Sequence, residues 1–282
     1  MKKIALINDL SGFGKCSLTV AIPVISVMGI QACPFPTAVL SAQTGFDDYY
    51  CDDYTDKMNI FTDKWKNMGV SFDGIYSGFL ASAKQIEKVK YFLDNFKKED
   101  TLYLADPVMG DHGVPYDLFS EELLAGMKEL AMRADVITPN LTELCMLADE
   151  DYHSIIKHSH EENYIELIEG ICRQLSVKTD IPRTIIVTGI IRNSCDKEYV
   201  GTLAVSNSET YYVEDPYIGK GFSGTGDLFA SVICGSFVNG LSLKEAIKKA
   251  TSFLTEAIEE AAKEGIPSPH GVYFEKHLAR LL

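Results

Sequence analysis

Short apolar, β-rich runs alternate along the chain with longer segments whose apolar positions recur at helical spacing. Ile4 to Ile7 precedes a helical segment over 15 to 28, Ile75 to Leu80 precedes 82 to 96, and Leu102 to Ala105 precedes 120 to 133. This alternation predicts a parallel sheet with helices on both faces. The pattern continues through Val136-Ile137-Thr138, a helix opening near Asn140, a helix over about 162 to 175, and a strand from Thr184 to Thr188.

The pattern then changes. Val200 to Val205 and Thr210 to Val213 flank the polar turn Ser206-Asn207-Ser208-Glu209 and read as an antiparallel hairpin, so the sheet is expected to be mixed at one edge. Two helices follow, over about 225 to 239 and about 243 to 264, with Asn239-Gly240 as a stop and Ser242 as an N-cap. No Pro/Gly/Ser-rich linker, repeat or low-complexity segment divides the 282 residues, which predicts one α/β domain over 1–282. The acidic, aromatic stretch Phe46 to Tyr54 follows a strand and is expected to be a surface loop or flap.

Composition narrows the function classes. With 46% hydrophobic and 23% charged residues the chain is an ordinary core-forming protein. A net charge of −14 opposes non-specific binding to nucleic acid or an anionic membrane, and no run approaches the roughly 20 apolar residues of a membrane span. The N-terminal Met-Lys-Lys-Ile-Ala-Leu-Ile is too short for a signal peptide, because the apolar run stops at Asn8 and Asp9. Seven scattered cysteines, at 16, 33, 51, 145, 172, 195 and 234, show no zinc spacing and read as free thiols in a reducing cytoplasm.

The candidate chemistry gathers at strand ends. Gly221, Gly224 and Gly226 crowd the residues before an apolar helix, where backbone N–H groups can converge on an anion at the positive helix end. Asp227 then falls in the first helical turn. The dipole alone would favour a carboxylate there, but three glycines and a threonine just ahead place a base beside an anion hole. Asp106-Pro107-Val108-Met109-Gly110-Asp111 puts two carboxylates at a strand's C-terminal end, where open α/β sheets bind ligands. Thr138-Pro139-Asn140-Leu141-Thr142-Glu143 ends a strand and opens a helix, with Asn140 and Glu143 at capping spacing. Ile185 to Gly189 is a buried-strand run ending in a hydroxyl, Thr188, and a glycine.

Asp9 to Ser17 is not a nucleotide loop of either standard kind. A Walker A loop needs Gly where Asp9 stands and Ser or Thr where Cys16 stands, and a dinucleotide fingerprint from Gly12 and Gly14 needs a third Gly at Ser17. That argues against a Rossmann-type oxidoreductase.

Gly224-Thr225-Gly226-Asp227 resembles the Gly-x-Gly-Asp element of the ribokinase-like superfamily. Asp106-Pro107-Val108-Met109-Gly110 and Ser77-Gly78-Phe79-Leu80 resemble segments of the vitamin B6 kinases, in family order over most of the chain. The resemblance implies a three-layer α/β/α fold with a mostly parallel sheet. It implies Asp227 as the base for an acceptor hydroxyl and the amides of Gly224, Thr225 and Gly226 as an anion hole. Asp106, Asp111, Thr138, Glu143 and Thr188 would organise ATP phosphates, with Asp106 and Glu143 holding Mg²⁺ through water. Ser41-Ala42-Gln43-Thr44-Gly45 resembles the pyridoxal-kinase Ser-x-x-Thr segment. The acceptor would therefore meet Asp9, Gln43, Thr44, Gly45, Phe79 and Asp227.

The implied reaction is ATP-dependent phosphorylation of the 5′-hydroxymethyl group of pyridoxal, pyridoxine or pyridoxamine, in a cytoplasmic homodimer, with a K⁺ requirement left open. Three positions depart from the pyridoxal-kinase pattern, which commonly has Ser, His and Tyr where this chain has Asp9, Gln43 and Phe79. An extra carboxylate at Asp9 suggests ion pairing to an amine-bearing acceptor such as pyridoxamine. Hydroxymethylpyrimidine kinase is the alternative within the enzyme class, and a non-catalytic B6 or nucleotide sensor is the alternative outside it.

Overall fold

The computed structural model describes every residue except 118, 178–182, 195–196 and 220, so Cys195 lies outside the described residues. The chain folds as two compact units, Met1–Asp106 with Lys220–Leu282, and Pro107–Gly219.

The first unit is built on β1 (Lys3–Ser11), β2 (Gln31–Leu40), β3 (Cys51–Asp53), β4 (Gly74–Ser77) and β5 (Leu102–Ala105), in the order β5-β4-β1-β2-β3. The strands from β5 to β2 are parallel, and β3 joins β2 antiparallel through Ala38 to Leu40. The expected loop over Phe46 to Tyr54 is thus partly an edge strand. Its last residues pair with a free sheet edge despite their charge, because an edge strand leaves acidic side chains in water.

Parallel register decides which helices face which side. Helices α1 (Ser17–Val27), α8 (Thr225–Val238) and α9 (Leu243–Lys263) pack together, as do α2 (Thr55–Asn67) and α3 (Ala83–Phe96). A Cβ added at Gly74 would touch both Ile4 and Val238 of α8, so Ile4 faces α8. Side chains alternate along a strand, so Leu6 and Asn8 share that face, with Tyr76 on the neighbouring strand. Phe35, paired with Ile7, points the other way and packs on Phe61 and Trp65 of α2 and Phe92 of α3. The first unit is therefore three-layered, as expected.

Helix α8 is buried from Leu228 to Ser236, so it lies inside the unit rather than on its rim. Its N-terminus, carrying the glycine turn, reaches the C-terminal ends of β1 and β4.

The second unit holds α4 (Glu121–Arg133), α5 (Leu141–Ala148), the short α6 (Tyr152–Ile156) and α7 (Tyr164–Ser176) around β8 (Val136–Ile137), β9 (Thr184–Ser194), β10 (Lys197–Val205) and β11 (Thr210–Pro216). β8 pairs parallel with β9, and β9, β10 and β11 form an antiparallel meander. The hairpin predicted from Val200 to Val213 is present and longer at both ends. Two further pieces, β6 (Gly110–Asp111) and β7 (Val114–Pro115), make a two-stranded hairpin.

Candidate active site

The first unit brings one set of predicted residues together around Asp227. Gly224 caps α8 at φ +78, and a Cβ there would overlap the Lys15 carbonyl oxygen. Only glycine allows this turn to close against the loop after β1. Thr225 ties the turn to itself by donating its hydroxyl to the Phe222 carbonyl at 3.0 Å. Around a Cβ added at Gly226 there is open space, with only an Asp106 carboxylate oxygen at 3.9 Å. The turn thus has backbone N–H groups at a helix start and room beside them, the requirement for holding an anion.

Asp227 follows in the first turn of α8. Two side-chain donors reach its carboxylate, the Asn8 amide at 3.1 Å and the Tyr76 hydroxyl at a long 3.4 Å, and the nearby Ser17 backbone N–H also favours its charged form. Asp227 is partly exposed, but the protein packed around its carboxyl group costs that group hydration. Lost hydration raises its pKa from 3.8 to about 6, the nearby Asp9 charge adds to the rise, and the three donors hold it back. A carboxylate near 6 is mostly ionised at neutral pH and basic enough to take a proton. Burial first, and then the charges of Asp227 and Asp106, push Tyr76 far above its ordinary value, so it stays a neutral donor.

No motif of the sequence marks Asn8, Tyr76 or Ser17. Asn8 is fully buried at the end of an apolar strand, on the face turned to α8. Its Oδ1 accepts from the backbone N–H groups of Asp9 and Phe79, each at 3.0 Å, while its amide reaches Asp227. A Cβ at Gly78 would overlap the Asn8 amide, which explains why glycine stands in Ser77-Gly78-Phe79-Leu80. The available signal was a polar residue closing an otherwise apolar run.

Asp9 is 5% exposed, and each oxygen already accepts one hydroxyl, Ser17 Oγ at 2.6 Å and Ser11 Oγ at 2.8 Å. Cys16 is buried beside these carboxylates; burial foremost, with the Asp227 and Asp9 charges, pushes its thiol up to about 12. It is a neutral neighbour, not a nucleophile.

Gln43 is engaged at both ends of its amide. Its Oε1 accepts from the Gly45 N–H at 2.8 Å, and its Nε2 donates to the Pro269 carbonyl at 2.9 Å and to Ser223 Oγ at 3.4 Å. It therefore ties the segment after β2 to the glycine turn and to the C-terminal segment. Phe13, Phe46 and His270 meet above it with ring centroids 5.3 to 5.5 Å apart. Thr44 and Gly45 are exposed and Phe79 is partly so, whereas Asp106 is buried at the end of β5.

The second unit collects the other predicted residues. Asn140 and Glu143 form a capping box at the start of α5, and the other Glu143 oxygen accepts the Met109 N–H at 3.0 Å. Asn140 also donates its amide to the Gly110 carbonyl at 2.9 Å, so one cap fixes both the helix start and the loop after β5. Thr138 is buried, while Thr188 lies at partial exposure with its N–H on the Pro139 carbonyl. Asp111 is exposed on the β6-β7 hairpin, where its side chain accepts the His112 N–H at 2.8 Å.

The phosphomethylpyrimidine kinase family matches residues 26–271, nearly the whole chain. The chain belongs to that family. A solved structure assigned as a phosphomethylpyrimidine kinase from Bacteroides thetaiotaomicron is 39% identical, covers 99% of this chain and 93% of its own, and superposes with a TM-score of 0.91. The same protein was also solved in a crystal form with pyridoxal, at a TM-score of 0.89. The pyridoxal kinase of Lactobacillus plantarum shares the fold at 24% identity, with a TM-score of 0.87 over 100% of this chain and 97% of its own. In sequence, the pyridoxal kinase PdxY of Histophilus somni is 27% identical over 199 residues, which is 69% of this chain. The match spans 65% of that relative, just under two thirds of its length.

Proposed function

We propose that this family member is an ATP-dependent kinase that phosphorylates the 5′-hydroxymethyl group of a vitamin B6 vitamer: pyridoxal, pyridoxine or pyridoxamine. The observation that carries the reading is Asp227: a carboxylate with a pKa near 6, beside a glycine turn, at the C-terminal ends of β1 and β4. Asp227 takes the acceptor's hydroxyl proton as its oxygen attacks the γ-phosphorus. The N–H groups of Gly224, Thr225 and Gly226 meet the charge on the transferred phosphoryl group. Thr44, Gly45 and Phe79 contact the acceptor ring, with Asp9 and Gln43 shaping the wall behind them. The pyridoxal crystal form of the Bacteroides protein supports the choice of acceptor.

Asp106, Asp111, Thr138, Glu143 and Thr188 serve the nucleotide. Among the described residues no group of three or more His, Cys, Asp or Glu side chains is built to hold a metal. Both Glu143 oxygens already accept a backbone N–H. That donor set suits a Mg²⁺ ion that arrives with ATP and keeps most of its water, and Asp106 and Glu143 are the carboxylates that would each accept from such water. When bound, Mg²⁺ neutralises phosphate charge.

The same reading takes the protein as a cytoplasmic homodimer. Among the described residues no helix is long and apolar enough to cross a membrane. A second reading, phosphorylation of a hydroxymethylpyrimidine, is favoured by the family and by the assignment of the Bacteroides relative. Steady-state ATP consumption with the three vitamers and with hydroxymethylpyrimidine decides between them. The B6 reading expects the highest kcat/KM on a vitamer and fails if only the pyrimidine turns over.

A further inference from the structure

The residues from Pro267 to Gly271 form no strand and no α-helix, yet their backbone is narrowly set. Pro267 and Pro269 flank Ser268, each ring fixing φ, and Ser268 to His270 make a single 3₁₀ turn. At Gly271, φ +74, a Cβ would crowd the Lys15 Cβ at 2.9 Å and the Ser223 carbonyl oxygen at 3.1 Å, so glycine lets the segment close onto the loop after β1 and onto the glycine turn. A stiff piece of chain is thereby seated against two loops of the candidate site. Ser268 holds the approach to the glycine turn at two points: its hydroxyl donates to the Gly221 carbonyl at 2.5 Å, and its carbonyl accepts the Ser223 N–H at 3.1 Å. The next residue, Pro269, offers its carbonyl to the Gln43 amide at 2.9 Å, and the same amide reaches Ser223 Oγ at 3.4 Å.

These bonds close a ring that runs from Gln43 to Pro269, along the chain to Ser268, across to Ser223 and back to Gln43. Each side of the ring carries part of the site. Ser223 directly precedes Gly224, the first residue of the anion hole, and Gln43 fixes the Gly45 N–H on the acceptor side through its Oε1 at 2.8 Å. Gln43 and Ser223 are 180 residues apart, so no local chain geometry sets their spacing. We propose that Ser268 is a positioning residue for phosphoryl transfer: with Pro269 it braces the acceptor wall against the glycine turn and so fixes the distance between acceptor and phosphoryl group. The inference rests on the reading of these two loops as acceptor wall and anion hole. Ser268 acts through Ser223 and Gln43. Reacting atoms must meet at roughly 3 to 3.5 Å, so a shift of about an ångström between the loops is felt in the rate.

A double-mutant cycle across the ring separates a brace from a local prop. Steady-state kinetics of wild type, Ser268→Ala, Ser268→Thr, Gln43→Leu and Ser268→Ala/Gln43→Leu on the preferred acceptor carry the test. Displacing a reacting group can cost on the order of 10²-fold, and with part of the brace left in Ser268→Ala its kcat/KM for the acceptor is expected to fall about 10-fold, with KM for ATP within ~2-fold. Ser268→Thr keeps the hydroxyl and stays within ~2-fold of wild type. Members of one hydrogen-bond network are not additive, so the double variant should be little worse than the poorer single variant. Wild-type kcat/KM in Ser268→Ala, a Thr variant as poor as the Ala variant, or losses that simply multiply in the double variant overturn the proposal. If wild type turns over no acceptor, it is the kinase reading that fails, and amide hydrogen exchange then judges the brace alone. Ser268→Ala should speed exchange at both the Ser223 and the Gly45 N–H by on the order of 10-fold, the weight of one hydrogen bond, and an unchanged Gly45 refutes the brace. Should Ser268→Ala not fold, Gln43→Leu decides from the other side of the ring: faster exchange at Ser223 supports the brace, and wild-type exchange there refutes it.

Discussion

Asn8 and Asp227, 219 residues apart in the chain, are joined by a 3.1 Å hydrogen bond from the Asn8 amide to the carboxylate. The bond follows from strand parity. Asn8 shares with Ile4 and Leu6 the face of β1 that α8 covers, so the first polar residue on that face meets the first turn of the helix. Asn8→Ala removes a donor that favours the ionised carboxylate, so the Asp227 pKa rises. The acid limb of the kcat profile is expected to move to higher pH, and an unmoved limb would disconnect Asn8 from the base.

Burial of Asp227 also predicts a conflict between stability and activity. Its folded pKa is about 6 against an ordinary 3.8, so the native state holds this proton more tightly than the unfolded chain does. Stability therefore falls as pH rises from about 4 to about 6 and stays lower above that window, by at most roughly 3 kcal/mol. Asp227→Asn should melt higher than wild type at pH 8, with the gap about halved at pH 5. Thermal denaturation at the two pH values checks this, and a variant that melts lower at pH 8 would contradict it.

The two glycines of the turn should fail differently. Gly224→Ala meets both a positive φ and the Lys15 carbonyl, so a large drop in Tm is expected along with lost activity. Gly226→Ala meets almost nothing and gains helix propensity in the first turn of α8, so its Tm should match or exceed that of wild type. Its kcat should nevertheless fall, because the new methyl group occupies the space proposed for the phosphoryl group. Full activity in Gly226→Ala would remove the anion hole from that position.

Gln43→Leu keeps the bulk of the side chain but leaves the Gly45 N–H and the Pro269 carbonyl without their partner. The segment carrying Thr44 should loosen, raising KM for the acceptor several-fold while KM for ATP holds. Equal changes in both constants would argue for a general loss of structure instead.

Much of this architecture was legible in the residue pattern, because parallel strands buried on both faces read as continuous apolar runs and their helices as amphipathic repeats. The hairpin at 200 to 213 and the caps at Asn140 and Ser242 were equally readable, since each rests on local turn or capping chemistry. β3 was not, because three residues with two acidic side chains become a strand only when β2 offers an edge. The β6-β7 hairpin was hidden for a similar reason, being two residues long on each side. At the site, glycines and carboxylates stood out through their spacing. Asn8 and Tyr76 did not, because their role depends on which face of a strand meets Asp227 across the fold. Asp9 was visible, but its partners were not: a carboxylate expected to face the acceptor's amine is held by Ser11 and Ser17.

The central claim is that Asp227 is the base. Its most direct test is the kcat of Asp227→Asn on the preferred vitamer, measured beside the variant's affinity for ATP. General base catalysis contributes about 10²- to 10⁴-fold, so kcat should fall by that order while ATP binding stays near wild type. Wild-type kcat in a folded Asp227→Asn would contradict the account.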